Sequence, residues 1–153
     1  PRPTATPASA PLKTPAPSTG DDYTTPSSQV QEEILLNLLN QERIAQGLSP
    51  LTLDAELSRI ARIKSADMRD NHYFAHESPT YGHVSDMLKT FGYSFSGAGE
   101  NIAHHATTEK AHAAFMSSDG HRRNILSSAW QKVGLGIVYD ANGYVYVTQI
   151  FVR

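Results

Sequence analysis

The feature that most constrains this chain is a change of hydrophobic period between Leu126 and Val133. Upstream, apolar residues return at intervals of three and four, as on one face of a helix. Downstream, Val133-Gly134-Leu135-Gly136-Ile137-Val138-Tyr139 and Tyr144-Val145-Tyr146-Val147-Thr148-Gln149-Ile150-Phe151 are rich in β-branched and aromatic residues and flank Asp140-Ala141-Asn142-Gly143. Asn-Gly between two such runs is a hairpin signal. Helices first and an antiparallel hairpin last, without βαβ alternation, call for an α+β layered domain.

The helical part has its own punctuation. Ser28-Gln29-Val30-Gln31 has capping-box spacing and precedes Ile34, Leu35, Leu38, Leu39 and Ile44, so a first helix is expected from Ser28 to a stop at Gly47. Asp54 is placed to cap a second helix, in which Leu57, Ile60, Ala61, Lys64 and Met68 recur. A third, shorter helix is expected from Val84 to Phe91, ending at Gly92, and a fourth after Thr107, with Ala111, Ala114 and Phe115 on one side.

The segment ahead of these helices cannot fold in the same way. Residues 1–27 hold seven of the nine prolines, with repeated Ala, Thr and Ser and almost no large apolar side chain. Such a tract does not bury enough surface to offset ordering entropy, and is expected to be a disordered linker able to reach roughly 80 Å in extended form. The domain is therefore set at 28–153. A tether of this kind suits display of an exported domain, the alternative being a disordered tail of no particular use, and the absence of a starting methionine reads as a mature or trimmed form. No apolar run approaches the roughly 20 residues of a membrane-spanning helix. The net charge of -2 lacks the basic footprint of a nucleic-acid partner. With no cysteine, any metal ligand must be His, Asp, Glu or a backbone oxygen.

Three segments carry the candidate chemistry: Tyr73-Phe74-Ala75-His76, Gly99-Glu100-Asn101-Ile102-Ala103 and Gly120-His121-Arg122-Arg123-Asn124-Ile125-Leu126. Together they offer one carboxylate and two imidazoles on separate elements. His72 and His76 would share a helical face if the second helix ran that far, but Pro79 soon breaks the element and the spacing alone is a weak metal signal. Glu100 enters an apolar strand, where a carboxylate is costly unless paired. Its bland alternative is a structural glutamate bonded to turn amides, as that of His121 is a core or capping histidine. Gly97-x-Gly99 lacks the third glycine and the strand-loop-helix setting of a dinucleotide fingerprint, so no nucleotide cofactor is expected. His104, His105 and His112 lie among Ala, Thr and Lys and are expected to face solvent; His83 is left open.

Residues from about 30 to 153 resemble the CAP superfamily of cysteine-rich secretory proteins, antigen 5 and pathogenesis-related proteins, and are most similar to its bacterial cysteine-free branch. The resemblance rests on Leu38-Leu39-Asn40-Gln41-Glu42-Arg43, Leu51-Thr52-Leu53-Asp54-Ala55-Glu56-Leu57, Tyr73-Phe74-Ala75-His76-Glu77-Ser78-Pro79, Gly99-Glu100-Asn101-Ile102-Ala103, Ser118-Asp119-Gly120-His121-Arg122-Arg123-Asn124-Ile125-Leu126 and Tyr146-Val147-Thr148-Gln149-Ile150-Phe151. It implies a three-layer α-β-α sandwich around a small antiparallel sheet, with a cleft lined by two histidines and two acids. His76 and His121 fall on the histidine positions and Glu100 on the first acidic one. The second acid belongs to a Trp-x-x-Glu motif, and Phe115-Met116-Ser117-Ser118 stands there instead, with Ser118 at the glutamate position.

Three functions remain as alternatives. The first is a secreted or cell-surface binding module, a monomer, whose His76, Glu100 and His121 hold zinc or another divalent cation, or whose cleft takes a small polar, lipid or envelope ligand. The second is a hydrolase with Glu100 as general base, His76 or His121 polarising the substrate, and Ser118 as a candidate nucleophile. The third is a structural or interaction domain in which the polar cluster only braces the cleft loops. The family resemblance favours binding over a defined reaction, and a fold alone licenses no chemistry.

Overall fold

The structure, a computed structural model, describes residues 23–153, so most of the expected linker 1–27 lies outside the described residues. Along the chain run α1 (Pro26–Ala45), β1 (Thr52–Leu53), α2 (Ala55–Asp70), α3 (Val84–Thr90), β2 (Ala98–His105), α4 (Thr108–Ser117), α5 (Asp119–Ile125), β3 (Lys132–Tyr139) and β4 (Val145–Val152). The first helix begins two residues ahead of Ser28. Pro26 costs nothing at the first helical position, where its missing N–H would have no partner. Ser28 is not the cap but its reciprocal partner: its amide donates to Thr25 Oγ1 at 3.0 Å and the Thr25 amide donates to Ser28 Oγ at 2.9 Å. Asp54 caps α2 as expected, accepting the Leu57 amide at 2.9 Å, and Gly47 and Gly92 come after their helices in the left-handed region, at φ +77° and +72°.

The sheet has the order β1-β3-β4-β2. The β3–β4 hairpin and the β4–β2 pair are antiparallel, and the two-residue β1 adds a short parallel edge. Alternation along β3 and β4 divides two cores. Val133, Leu135, Ile137, Val147 and Phe151 meet Leu35, Leu39, Phe115 and Ile125 from α1, α4 and α5. Ile150 and Val152 point the other way, onto Leu57, Ile60 and Ala61 of α2 and Met87 and Leu88 of α3. The result is helices on both faces of the sheet, an α+β sandwich in three layers.

On the α2 face of β3 two successive positions, Gly134 and Gly136, carry no side chain. A Cβ on Gly134 would stand 2.4 Å from the Leu57 carbonyl carbon, and one on Gly136 would stand 2.1 Å from the Arg62 nitrogen. The α2 backbone therefore lies directly on these two glycines. Beyond β1 the outer edge of β3 has no strand beside it among the described residues, and its amides are met by side chains: Leu135 N–H donates to Ser58 Oγ at 3.1 Å and Ile137 N–H to Glu32 Oε2 at 3.2 Å. Glu32 in turn accepts from Arg62 at 2.8 Å, a buried ion pair that joins α1 to α2 across this edge.

Gly136→Ala is expected to cost about 3 kcal/mol or more in chemical denaturation, because the added methyl meets backbone that cannot yield. Gly120→Ala in α5, where nothing lies within 4 Å of the new Cβ, should change stability by at most about 1 kcal/mol, in the stabilising direction.

Candidate functional site

The site is assembled from β2, α5 and the chain that leaves α2. That chain turns sharply: α2 ends at Asp70, Asn71 caps it, and His72 takes a left-handed φ of +55°. His72 and His76 therefore do not share a helical face, and their spacing makes no ligand pair. Asp67, one turn from the end of α2, organises the loop that leads to α3. Its Oδ2 accepts from the Tyr73 hydroxyl and, at 2.6 Å, from Ser78 Oγ; its Oδ1 accepts from Asn71 Nδ2 at 2.6 Å. Ser78 Oγ then receives the amides of Thr80 and Tyr81, both at 3.0 Å. Burial first, and the bond to Asp67 second, push the Tyr73 phenol well above its ordinary range.

Lys64 is the second organiser. It is only 1% exposed, yet its ammonium donates to the His76 carbonyl at 2.7 Å and lies 5.3 Å from the centroid of the Tyr73 ring. Burial lowers its pKa, while the Glu100 and Asp67 carboxylates oppose that shift. Lys64 holds the backbone of His76 and so fixes where that imidazole starts.

Glu100 sits on the α2 side of β2, opposite Ile150 of β4. Its Oε1 lies 2.9 Å from His76 Nδ1, and since a carboxylate only accepts, the imidazole Nδ1–H is the donor. The carboxylate is buried behind the ring, with a side-chain exposure of 3% against 53% for His76. Glu100 Oε2 is buried with no hydrogen-bond partner among the described residues. The expected pairing of this costly carboxylate is present on one oxygen, and its partner is an imidazole rather than turn amides.

His121 reaches the site from α5. Asn101 Nδ2 donates to the His121 carbonyl at 3.1 Å and to Gln149 Oε1 at 3.0 Å, while Asn124 Nδ2 donates to Asn101 Oδ1 at 2.9 Å and to the Glu100 carbonyl at 3.3 Å. This amide ladder ties α5 to the sheet. The His121 ring packs edge-on against Phe115 at 5.2 Å between centroids. Burial, and then the neighbouring His76, hold its pKa below the usual 6.5.

His76, His121, Ser118, Phe74, Phe115 and His104 all border one cleft of about 480 Å³. The structure thus brings His76, Glu100 and His121 to one place, with Glu100 behind His76 rather than beside it. Among the described residues no three His, Asp or Glu side chains are grouped closely enough to hold a metal ion. Four histidines border the cleft, His76, His104, His105 and His121; of these His76 is backed by the Glu100 carboxylate, an arrangement that orients metal-ligating histidines. The His76 and His121 imidazoles are of the type that ligate a divalent cation, and among the described residues they fall one short of a three-ligand set. Ser118 lies at the junction of α4 and α5, and its hydroxyl makes no hydrogen bond to either imidazole among the described residues.

Of the other histidines, His112 departs from expectation and His104 does not. His112 is buried, with Nε2 3.1 Å from Glu42 Oε2. His104 is stacked on Tyr146 at 3.9 Å and bonded through Nε2 to Asp140 at 2.7 Å. The polar neighbours of His112 in sequence point it toward solvent, whereas its partner Glu42 comes from α1; His104 is exposed, as expected. His83 precedes α3 and is exposed, 3.9 Å from Glu77. Sequence reading also misses Asp67, Asn101 and Asn124 as site builders. Lys64 does leave a signal, a lysine in phase with the apolar face of α2.

A model of the cysteine-rich secretory protein family, CAP, matches residues 36–151. The uncharacterized protein YkwD of Bacillus subtilis strain 168 is 45% identical over 140 residues, covering 88% of this chain and 54% of that protein. The uncharacterized membrane protein YlbC of the same organism is 35% identical over 123 residues, covering 80% of this chain and 34% of that protein. Among solved structures, an extracellular protein containing an SCP domain from Bacillus anthracis superimposes with a TM-score of 0.74 at 34% identity, over 85% of this chain and 44% of the other. An outer surface protein of Borrelia burgdorferi shares the fold at a TM-score of 0.76 and 16% identity, over 82% of this chain and 93% of the other. The chain thus spans about half or less of the two curated relatives.

Replacing Lys64 with methionine leaves the His76 carbonyl without its donor, and should cost about 1–3 kcal/mol in equilibrium denaturation. If Lys64 holds the loop, the Ser78 and Gly82 amides, which pair with each other's carbonyls, will exchange faster with solvent; unchanged exchange would remove that role. For His121, an NMR titration should give a midpoint below 6.5. With the folded pKa depressed, the unfolded chain binds the proton first, so this group's contribution to stability is complete above about 6.5 and is lost as pH falls from there toward the folded value. His76→Ala should raise the midpoint by removing the like charge, and leave the burial part of the shift in place.

Proposed function

We propose that this chain, which belongs to the cysteine-rich secretory protein (CAP) family, is an extracellular or envelope-associated binding module whose cleft takes a divalent cation or a small polar ligand through His76 and His121. The observation that carries this reading is the convergence of the two imidazoles, from the α2–α3 loop and from α5, on one cleft, with the buried Glu100 accepting from His76 Nδ1–H. A carboxylate on Nδ1 fixes the tautomer that leaves Nε2 as the electron-pair donor. A bound cation would supply Lewis acidity and a fixed positive charge to whatever shares the cleft. The chain's own residues set the terms. Glu100 orients His76, Lys64 and Asp67 hold the loop beneath it, the Asn101–Asn124 ladder holds His121, and Phe74 and Phe115 border the cleft with apolar surface.

Binding is supported over hydrolysis because Ser118 has no base bonded to its hydroxyl among the described residues, and Glu100 is committed to His76 and shielded by it. An extracellular setting is supported by the similarity to the extracellular Bacillus anthracis protein. No helix among the described residues is long and apolar enough to cross a membrane.

Calorimetric titration with zinc should show one site tighter than about 1 mM at neutral pH. His76→Ala and His121→Ala should abolish it, and Glu100→Gln should weaken it by about 10–100-fold, as loss of an orienting partner does. Affinity should fall in acid, where protonation of His121 competes with the cation, at a pH below 6.5. Binding that persists in the His76→Ala/His121→Ala double variant would sink the proposal.

A further inference from the structure

The wall that carries His121 has a second cleft behind it. Ser118 and His121 face the imidazole cleft, while Asp119, Arg122 and Arg123 of α5 border a separate cavity of about 690 Å³, closed on its far side by the 126–130 segment with Leu126 and Trp130. Its volume is within the range of small-ligand sites. Both arginines are exposed, and among the described residues neither guanidinium has a hydrogen bond or an ion pair, although Asp119 shares the cavity. Two unpaired guanidiniums against one carboxylate leave the cavity with excess positive charge.

The far wall is rigidly built. Arg43, 2% exposed, reaches from α1 to donate to the carbonyls of Ile125 and Ser127 at 2.8 and 2.7 Å, fixing the chain as it leaves α5. Trp130 is held at three points: its Nε1–H donates to the Asn124 carbonyl at 2.9 Å, its ring stacks on Phe151 at 5.9 Å, and its Cζ2 lies 2.9 Å from where a Cβ on Gly99 would stand. The glycine is therefore required by the tryptophan, and the indole is set before any ligand arrives. Guanidiniums supply forked donors that match carboxylate and phosphate oxygens, and a fixed indole offers a flat surface for the body of a ligand. Ser127 and Ser128 add hydroxyl groups on the same wall.

We propose that the cavity between α5 and residues 126–130 is a second binding site, for a small hydroxylated ligand bearing a phosphate or carboxylate, with the oxyanion on Arg122 and Arg123 and the body against Trp130. This site is independent of the imidazole cleft and needs no cation.

Trp130 is the sole tryptophan of the chain, so its fluorescence reads the site directly. Titration with glucose phosphate and with glucuronate should give a saturable change with a Kd of about 1 mM or tighter for at least one of them, and the one that binds names the anion. Neutral glucose should give none. The Arg122→Ala/Arg123→Ala double variant should bind at least tenfold more weakly at an unchanged Tm, and His76→Ala should respond as the unaltered protein does. An equal response to glucose, a response that survives in the double arginine variant, or no saturable change with either anion would overturn the proposal.

Discussion

The approach of α2 to the sheet governs most of this structure. Because Gly134 and Gly136 present no side chain, the helix rests on strand backbone, and its polar residues come within reach of the sheet: Ser58 takes the Leu135 amide, and Ser65 donates to the Gly136 carbonyl at 2.9 Å. The same seating sets Lys64 below the loop of His76 and beside Glu100 of β2, and places Asp67 where the loop folds around it. A helix held farther away by one layer of side chains would leave these charges apart, and each would then be a buried group without its partner.

The site divides its work between exposed and hidden groups. His76 and His121 meet the cleft, whereas Glu100, Lys64 and Asp67 act from the interior. Such an interior is tolerable because the charges are of both signs and nearly every polar atom is matched. The exception among these groups, Glu100 Oε2, keeps the carboxylate's second oxygen uncommitted in a region of low dielectric. His121 is held differently, through its backbone, by Asn101, whose amide donates to the His121 carbonyl and accepts from Asn124. One short helix, α5, therefore serves two clefts of opposite character, imidazole on one side and guanidinium on the other, and the amide ladder that fixes one wall fixes the other.

Much of the fold can be read in the chain. Asp54, Thr107 and Gly92 punctuate helices that form as expected, and Asp140-Ala141-Asn142-Gly143 turns the hairpin, with Gly143 at φ +81°. The capping pattern sets the start of α1 too late because Ser28 satisfies it from inside the helix, as the partner of Thr25. His76, Glu100 and His121 are legible as a group from their motifs. That Glu100 stands behind His76 is not, since it depends on which face of β2 meets α2, and a pairing register is settled by the whole sheet. His112 shows the limit of local context, because a residue 70 positions away in sequence supplies its partner.

Local chemistry by itself determined four of the helices, the α2 and α4 caps, the hairpin turn and the three site segments, because these arise from periodicity, backbone permissiveness and side-chain type within a few residues, whereas α5 and β1 were not legible. The tertiary structure decided the rest: the mixed sheet with its short parallel edge, the burial of Lys64, the order of groups behind His76, and the arginine cavity beyond α5. Those features come from long-range packing around two glycines and from hydrogen bonds between residues tens of positions apart, and no local pattern encodes such distances.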